Sequence, residues 1–216
     1  MFMKGLFITF EGGEGSGKTT LVQGLFEKLS QRGYSLLKTR EPGSSKLSEQ
    51  IREWLLSSKK GDFIGQKAEL LLFLAARAQN IEETILPALK EGKIVLCDRY
   101  HDSSIAYQGK ARGLGIDRVE KMCSFASENL WPDLTFYLNI SPEAALSRIK
   151  TAEECVLDRI ESESLDFHRQ VQEGYDYLLH KYPKRFFSLD AHLSQEEVLQ
   201  IAFGKVEQRL LEVVNR

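Results

Sequence analysis

Cysteine is scarce in this chain. It has three, Cys97, Cys123 and Cys155, with no CxxC pair and no Cys/His cluster. An odd number cannot close a disulfide framework, so disulfide-stapled and zinc-stapled scaffolds do not fit, and a reducing, cytoplasmic setting is expected. Long apolar runs are also missing. The longest, Leu70 to Ala76, falls far short of the ~18 residues needed to span a bilayer, so no membrane role is expected. The opening MFMKGLFITFEGG reads as a first strand and not as a signal peptide, because Gly and Glu follow its apolar stretch. An excess of one charge is lacking too: 29 Lys and Arg face 31 Asp and Glu, a formal net of −2. A general nucleic-acid or membrane-surface binder would normally carry a basic excess or a basic face. Repeats, low-complexity stretches and Pro/Gly-rich linkers are absent from the sequence.

What remains is an ordinary globular composition, 42% hydrophobic and 28% charged over 216 residues. That length suits a single domain, 1–216, able to bury a sizeable core. Short apolar runs at Leu6 to Phe10, Ser35 to Thr39, Ile94 to Cys97, Leu134 to Ile140 and Phe186 to Leu189 read as strands. Several are apolar on both faces, as in a parallel sheet covered by helices. Helical patterns lie between them. One runs from Thr19 to Arg32 on a stripe of Leu21, Leu25 and Leu29, stopped by Gly33. Others span Leu47 to Leu56, Lys67 towards Lys90, Asp117 to Asn129 and Ser162 to Tyr182. Ser141 with Pro142 looks like a helix start, and Ser194 with Glu197 like a capping box opening a last helix to Val214. The alternation predicts an α/β fold, a doubly wound, parallel five-stranded sheet flanked by helices; the GxxxxGKT run after its first strand makes it of the P-loop NTPase type, with the polar stretch near 148–160 as a short lid. Ligands of such sheets sit at the carboxyl ends of the strands.

After the first strand comes Gly12-Gly13-Glu14-Gly15-Ser16-Gly17-Lys18-Thr19, followed by Thr20, which matches GxxxxGK(S/T). The strand before it and the helix after it supply the required context. Glycines let successive N–H groups curl inward onto phosphate oxygens, and the helix N-terminus adds positive field. Lys18 would reach the β- and γ-phosphates of ATP, and the Thr19 hydroxyl would ligate Mg²⁺. A guanine-reading NKxD is absent, since none of the four asparagines precedes Lys, and there is no LSGGQ. Asp62 to Gly65 fits DxxG only loosely and follows a turn, not a strand. A small phosphotransferase remains. Arg40-Glu41-Pro42-Gly43, Asp98-Arg99-Tyr100 and Asp158-Arg159 follow later elements, and a carboxylate at a strand end such as Asp98 can hold Mg²⁺ through water. A second anionic substrate would explain the arginines, whose forked donors match phosphate oxygens.

Glu11-Gly12 through Thr20, Thr39-Arg40-Glu41-Pro42-Gly43, Asp98-Arg99-Tyr100 and Asp102 to Gly109 (DSSIAYQG) together resemble the bacterial thymidylate kinase family. Trp131 to Thr135 and Asp158-Arg159-Ile160-Glu161 extend the likeness, which runs from Phe7 to about Tyr182. The resemblance implies transfer of the γ-phosphoryl group of ATP to dTMP, with Mg²⁺, in dTTP synthesis. The acceptor is already a phosphate monoester with a second pKa of about 6, so in-line positioning and charge neutralisation would dominate over base catalysis.

By the same resemblance, Lys18, Arg99 and Glu14 would act in transfer, with Asp98 and Thr19 at the metal and Arg99 bridging the two phosphates. Glu14 matches a position that approaches the sugar 3′-OH, although a solvated loop carboxylate is the plainer reading. Phe73 and Arg77 share a helical face, where Phe73 would stack on thymine and Arg77 donate to its O4. Ser104 and Gln108 match base-contacting positions, Tyr107 the ring against the sugar 2′ carbon, and Glu41 and Arg52 complete the dTMP pocket. The family places an arginine at the phosphates from either the P-loop or the lid. Gly15 occupies the P-loop position, so Arg148, Lys150 or Arg159 is left to serve. Family members are homodimers, which is carried over as analogy. A kinase with another nucleotide or nucleoside acceptor, or an ATP-switched binding module, are the alternatives.

Overall fold

In the computed structural model, which describes residues 5–57, 63–151 and 158–214, β1 (Leu6–Glu11) is buried along its whole length at the centre of the sheet. Its neighbours are β3 (Ile94–Asp98) and β4 (Leu134–Asn139), with β2 (Leu36–Arg40) and β5 (Phe186–Asp190) at the edges. The order is β2-β3-β1-β4-β5 and every pairing is parallel. Burial on both faces explains why these strands read as unbroken apolar runs. The buried polar exceptions are hydrogen-bonded, Thr9 to Thr135 across β1 and β4 at 2.8 Å and Thr39 to Asn80 at 3.2 Å. The order in which strands are added reverses about β1, with β2 and β3 on one side and β4 and β5 on the other, so its carboxyl end opens onto the crevice where such sheets take ligands. The predicted fold class is the one observed.

α1 (Lys18–Gln31) lays Leu21, Val22, Leu25 and Leu29 on the sheet beside α9 (Gln195–Val214), whose Val198, Ala202 and Val206 complete that layer. Each fully buried leucine contributes roughly 1.5–3 kcal/mol. The helix stops in a Schellman turn, Gly33 N–H to Ser30 and Tyr34 N–H to Leu29, as the position of Gly33 predicts. Ser194 and Glu197 form the expected capping box at α9. Ser141 Oγ caps α7 (Pro142–Thr151), accepting from Ala144 N–H at 3.3 Å.

The opposite face carries α2 (Lys46–Leu56), α3 (Gln66–Asn80), α4 (Leu86–Lys90), α6 (Ile116–Ala126) and α8 (Leu165–Lys181). The long helix expected from Lys67 to Lys90 is real but not uniform. A π-helical turn, Ile81–Ile85, joins α3 to α4 just before Pro87, where a proline without an N–H breaks the regular ladder. α8 begins after Ser164, which caps Phe167 N–H, and not at Ser162.

One segment was not foreseen as helical. α5 (His101–Ser104) runs into a second π-helical stretch, Ile105–Ala111. Nearly all of it is buried, so it has no solvent face to produce an amphipathic period. Asp102, fully buried, anchors it through a paired contact with Arg185 at 2.7 and 2.8 Å. α8 presses closely on this stretch at Gly174, where a Cβ would lie 2.8 Å from the Ala106 Cα.

Candidate active site

The loop from Gly12 to Gly17 leaves β1 and enters α1 at the crevice. Gly12 adopts φ +142°, and a Cβ there would lie 2.8 Å from the Leu138 carbonyl, so glycine alone fits. Ser16 Oγ ties the loop to the Gly13 carbonyl at 2.8 Å. The Lys18 ammonium bends back over it, donating to the carbonyls of Gly12 at 3.1 Å and Gly13 at 2.8 Å. Burial and then the Arg99 charge lower its pKa, against Glu14 and Asp98. Thr19 Oγ1 donates to Asp98 Oδ2 at 3.0 Å, bringing a hydroxyl and a carboxylate from separate elements together.

Arg99 follows Asp98 with φ +67°, a backbone region that side-chain-bearing residues seldom occupy. The surroundings fix it there. Its Nη1 donates to the Gly12 carbonyl at 2.9 Å, Ser103 Oγ at 3.1 Å and Tyr175 Oη at 3.4 Å, and its Nη2 pairs with Glu14. The guanidinium also lies over the Tyr107 ring at 5.3 Å. Burial disfavours its charge, yet Glu14, the two tyrosines and Asp98 outweigh that and hold it protonated. Glu14 is likewise opposed by burial, but Arg99 and Lys18 win and its pKa falls. It is therefore an ionised loop carboxylate, partly exposed but paired into the cleft wall.

Behind Arg99 stands Glu11, the last residue of β1 and fully buried. It accepts from Tyr100 N–H at 2.8 Å, Ser103 Oγ at 2.6 Å and Tyr175 Oη at 3.0 Å. Burial and the Asp102 charge push its pKa up to about 7, against Ser103 and Arg99. Sequence reasoning assigned no role to Glu11, Ser103 or Tyr175. A carboxylate closing an apolar buried strand was the available signal for Glu11; Tyr175 reads only as part of a core stripe.

Deeper in the cleft, Arg77 is 2% exposed and donates to Glu41 Oε2 at 2.7 Å, the Tyr100 carbonyl at 2.9 Å, Ser104 Oγ at 3.0 Å and Cys123 Sγ at 3.3 Å. Burial raises the Glu41 carboxyl despite the partner, while Glu41 overcomes burial to hold Arg77 charged. Arg52 donates to the Pro42 carbonyl at 2.9 Å. Phe73, Tyr107 and Gln108 supply the remaining walls, and the cleft encloses about 420 Å³, the size of a small-ligand pocket. Glu14, Gly15, Gly17, Lys18, Thr19, Thr20, Glu41, Arg52, Phe73, Arg77, Asp98, Arg99, Ser104, Tyr107 and Gln108 thus converge on one cavity.

A second hollow of about 850 Å³ lies across the loop, walled by Gly15, Gly17, Thr20, Leu21, Arg148, Leu193 and Ser194. Arg148 sits there, with Nη2 on the Ala191 carbonyl at 2.8 Å. Lys150 lies near the end of α7, and its side chain, like residues 152–157 of the expected lid, is outside the described residues. Arg159 is not brought to the phosphate loop. Its Nε donates to the Leu55 carbonyl at 2.9 Å and its Nη2 lies 2.7 Å from Glu69 Oε2. Glu69 is a buried carboxylate, which needs cationic partners, and Arg159 is one of them.

Four similarities to known proteins bear on this geometry. The sequence profile of the thymidylate kinase family matches residues 10–201. A thymidylate kinase from Protochlamydia amoebophila is 48% identical over 211 residues, covering 95% of this chain and 94% of that protein. One from Bacillus velezensis is 47% identical over 211 residues, covering 98% and 99%. The crystal structure of thymidylate kinase from Ehrlichia chaffeensis superposes with a TM-score of 0.75 at 29% identity, covering 94% of this chain and 98% of that one.

Proposed function

The chain belongs to the thymidylate kinase family, and from that we infer which residues carry its reaction, the phosphorylation of dTMP to dTDP. It is a nucleoside monophosphate kinase working by ATP-dependent phosphoryl transfer. The observation that carries the assignment of residues is the pair of hollows that share Gly15, Gly17 and Thr20 of the P-loop, with Lys18 and Arg99 on the wall of the first. ATP occupies the hollow walled by Arg148 and Leu193, with its phosphates cradled from Gly12 to Thr20. dTMP occupies the 420 Å³ cleft.

Within that arrangement the acceptor phosphate lies against Arg99 and Arg52, and the thymine ring against Phe73, with Arg77, Ser104 and Gln108 at its polar edge. Arg99 neutralises charge on the acceptor and on the group in transit, and Lys18 does so on the donor. The acceptor oxygen is ionised at neutral pH, so no residue has to remove a proton. Glu14 orients Arg99 and faces the sugar. Tyr107 packs where a ribose 2′-hydroxyl would fall.

Thr19 and Asp98 offer oxygen ligands of the kind Mg²⁺ prefers, and a site with one carboxylate suits an ion that keeps phosphate oxygens and waters. No group of three or more His, Cys, Asp or Glu side chains suited to a metal occurs among the described residues. When bound, Mg²⁺ would screen the β- and γ-phosphate charge.

The exposed Trp54 and Leu47 of α2 and Leu71 of α3 support a homodimer formed through that face; sedimentation of Trp54→Glu against the parent tests it, a shared mass ruling it out. Cys97 and Cys123 are free and buried, in keeping with a reducing compartment. No helix among the described residues is long and apolar enough to cross a membrane.

A coupled ADP-release assay across dTMP, dUMP, CMP, AMP, GMP and thymidine tests the whole reading. dTMP should turn over best. Turnover with thymidine but not dTMP would overturn the acceptor assignment.

A further inference from the structure

Glu69 has no place in the chemistry above, yet it is one of the most committed carboxylates in the molecule. It opens α3 at 1% exposure, directly under the base end of the cleft. Its Oε1 accepts from Gln108 Nε2 at 2.9 Å and from Arg112 Nε at 3.2 Å. Its Oε2 takes Arg112 Nη2 at 3.3 Å and lies 2.7 Å from Arg159 Nη2. Burial works against ionisation, but Gln108, Arg112 and Arg159 together outweigh it and lower its pKa.

An ionised carboxylate only accepts hydrogen bonds, whereas a carboxamide has one end that donates and one that accepts. Placed against Glu69, the Gln108 amide has a single permitted orientation: nitrogen towards Glu69 and oxygen away from it. Gln108 is 2% exposed and lines the cleft beside Arg77 and Ser104, so the free end is the oxygen, and it is an acceptor. A turned amide would set a carbonyl against a carboxylate in a buried site, which costs the desolvation of both. Thymine and uracil present a ring N3–H donor next to an O4 acceptor. Cytosine presents a bare N3 acceptor next to an amino donor. An acceptor at Gln108 beside the donors of Arg77 matches the first pattern and opposes the second.

We propose that Glu69 is a positioning residue that fixes the polarity of the Gln108 amide, and so makes the base subsite select a pyrimidine bearing N3–H over cytosine. Arg112 and Arg159 are its counter-ions, and that is the role the structure gives to Arg159. The inference rests on the reading that this cleft takes the base of dTMP.

The test is the ratio of kcat/KM for dTMP to that for dCMP, measured with the full chain in the parent, Glu69→Gln, Gln108→Ala and the double variant. Both substrates are assayed on one preparation, so any unfolded fraction cancels from the ratio. Glutamine at 69 can donate or accept, which frees the Gln108 amide to turn. The ratio should fall at least ten-fold in Glu69→Gln, chiefly through KM, and Glu69→Gln should change nothing further in the Gln108→Ala background. A ratio within two-fold of the parent in Glu69→Gln overturns the proposal, and lowered thermal stability with that unchanged ratio marks Glu69 as merely structural. A parent with no preference for dTMP over dCMP would instead overturn the dTMP reading itself. Should Glu69→Gln fail to fold, ¹⁵N NMR of the parent decides. The Gln108 Nε2 protons should exchange slowly and stay protected when dTMP is added. Fast exchange, or protection lost with dTMP, overturns the proposal.

Discussion

Thr19 Oγ1 donates to Asp98 Oδ2 across 3.0 Å, joining the first turn of α1 to the last residue of β3. The two residues are 79 apart in sequence and meet only because β3 pairs with β1. The Asp98→Asn change keeps the shape and a hydrogen-bond acceptor but removes the charge. The magnesium concentration for half-maximal rate should rise about ten- to a hundred-fold. A magnesium titration at saturating ATP and dTMP checks this, and an unmoved midpoint would take Asp98 away from the metal.

Arg99 reaches Gly12, Glu14, Ser103 and Tyr175 from a left-handed backbone, so its guanidinium is held at the loop before substrates arrive. Interactions aimed at transition-state charge are worth about 10²–10³ in kcat when one donor is removed. Arg99→Ala should lose at least that much turnover while binding ATP as the parent does, measured by nucleotide titration alongside the rate assay. Normal turnover in the variant would remove Arg99 from the transfer step.

Much of this was legible in the sequence because it is local. The P-loop is a contiguous run whose glycines and lysine act through backbone curvature, and the strands declare themselves by being apolar on both faces. The segment 101–111 was not legible as helix, since burial on all sides erases the period that amphipathicity would give. Arg159 shows a second limit. Its place beside Asp158 suggested the phosphates, but its partners Glu69 and Leu55 lie more than eighty residues away, and only packing brings them together. Glu11 and Tyr175 escaped notice for the same reason.

Gly174 lets α8 approach the 105–111 stretch, and a Cβ there would meet the Ala106 backbone at 2.8 Å. Alanine gains up to about 1 kcal/mol of helix propensity. Overpacking costs about 1–3 kcal/mol, and backbone cannot turn aside as a side chain could. Gly174→Ala should therefore lower stability by up to about 2 kcal/mol, read as a lower urea midpoint. It should also reduce kcat, because the adjacent Tyr175 is displaced from Glu11 and Arg99. A raised midpoint would show that the two helical segments can part freely.

Glu11 makes stability depend on pH in a direction opposite to that of most carboxylates. Its pKa rises from an ordinary 4.5 to about 7, through burial first and Asp102 second. Between those values the folded chain keeps a proton that the unfolded chain has released, so stability falls as pH rises. The contribution is complete below about pH 4.5 and gone above about pH 7, and each pKa unit corresponds to about 1.4 kcal/mol, which gives roughly 3 to 4 kcal/mol over the window. Glu11→Gln is neutral at every pH and shares all the other titrating groups, so subtracting its stability isolates this one carboxyl. Urea denaturation of both proteins at intervals from pH 5 to 8 should show the parent losing stability relative to the variant, most steeply around pH 5.5 to 6 and levelling off above about pH 7. Parallel curves would mean that Glu11 is already ionised at pH 5. In that case Ser103, Tyr175 and the Tyr100 N–H would have to compensate its burial fully, and the Ser103 and Tyr175 hydroxyls that also meet Arg99 would be held by a fixed anion rather than by a titrating one.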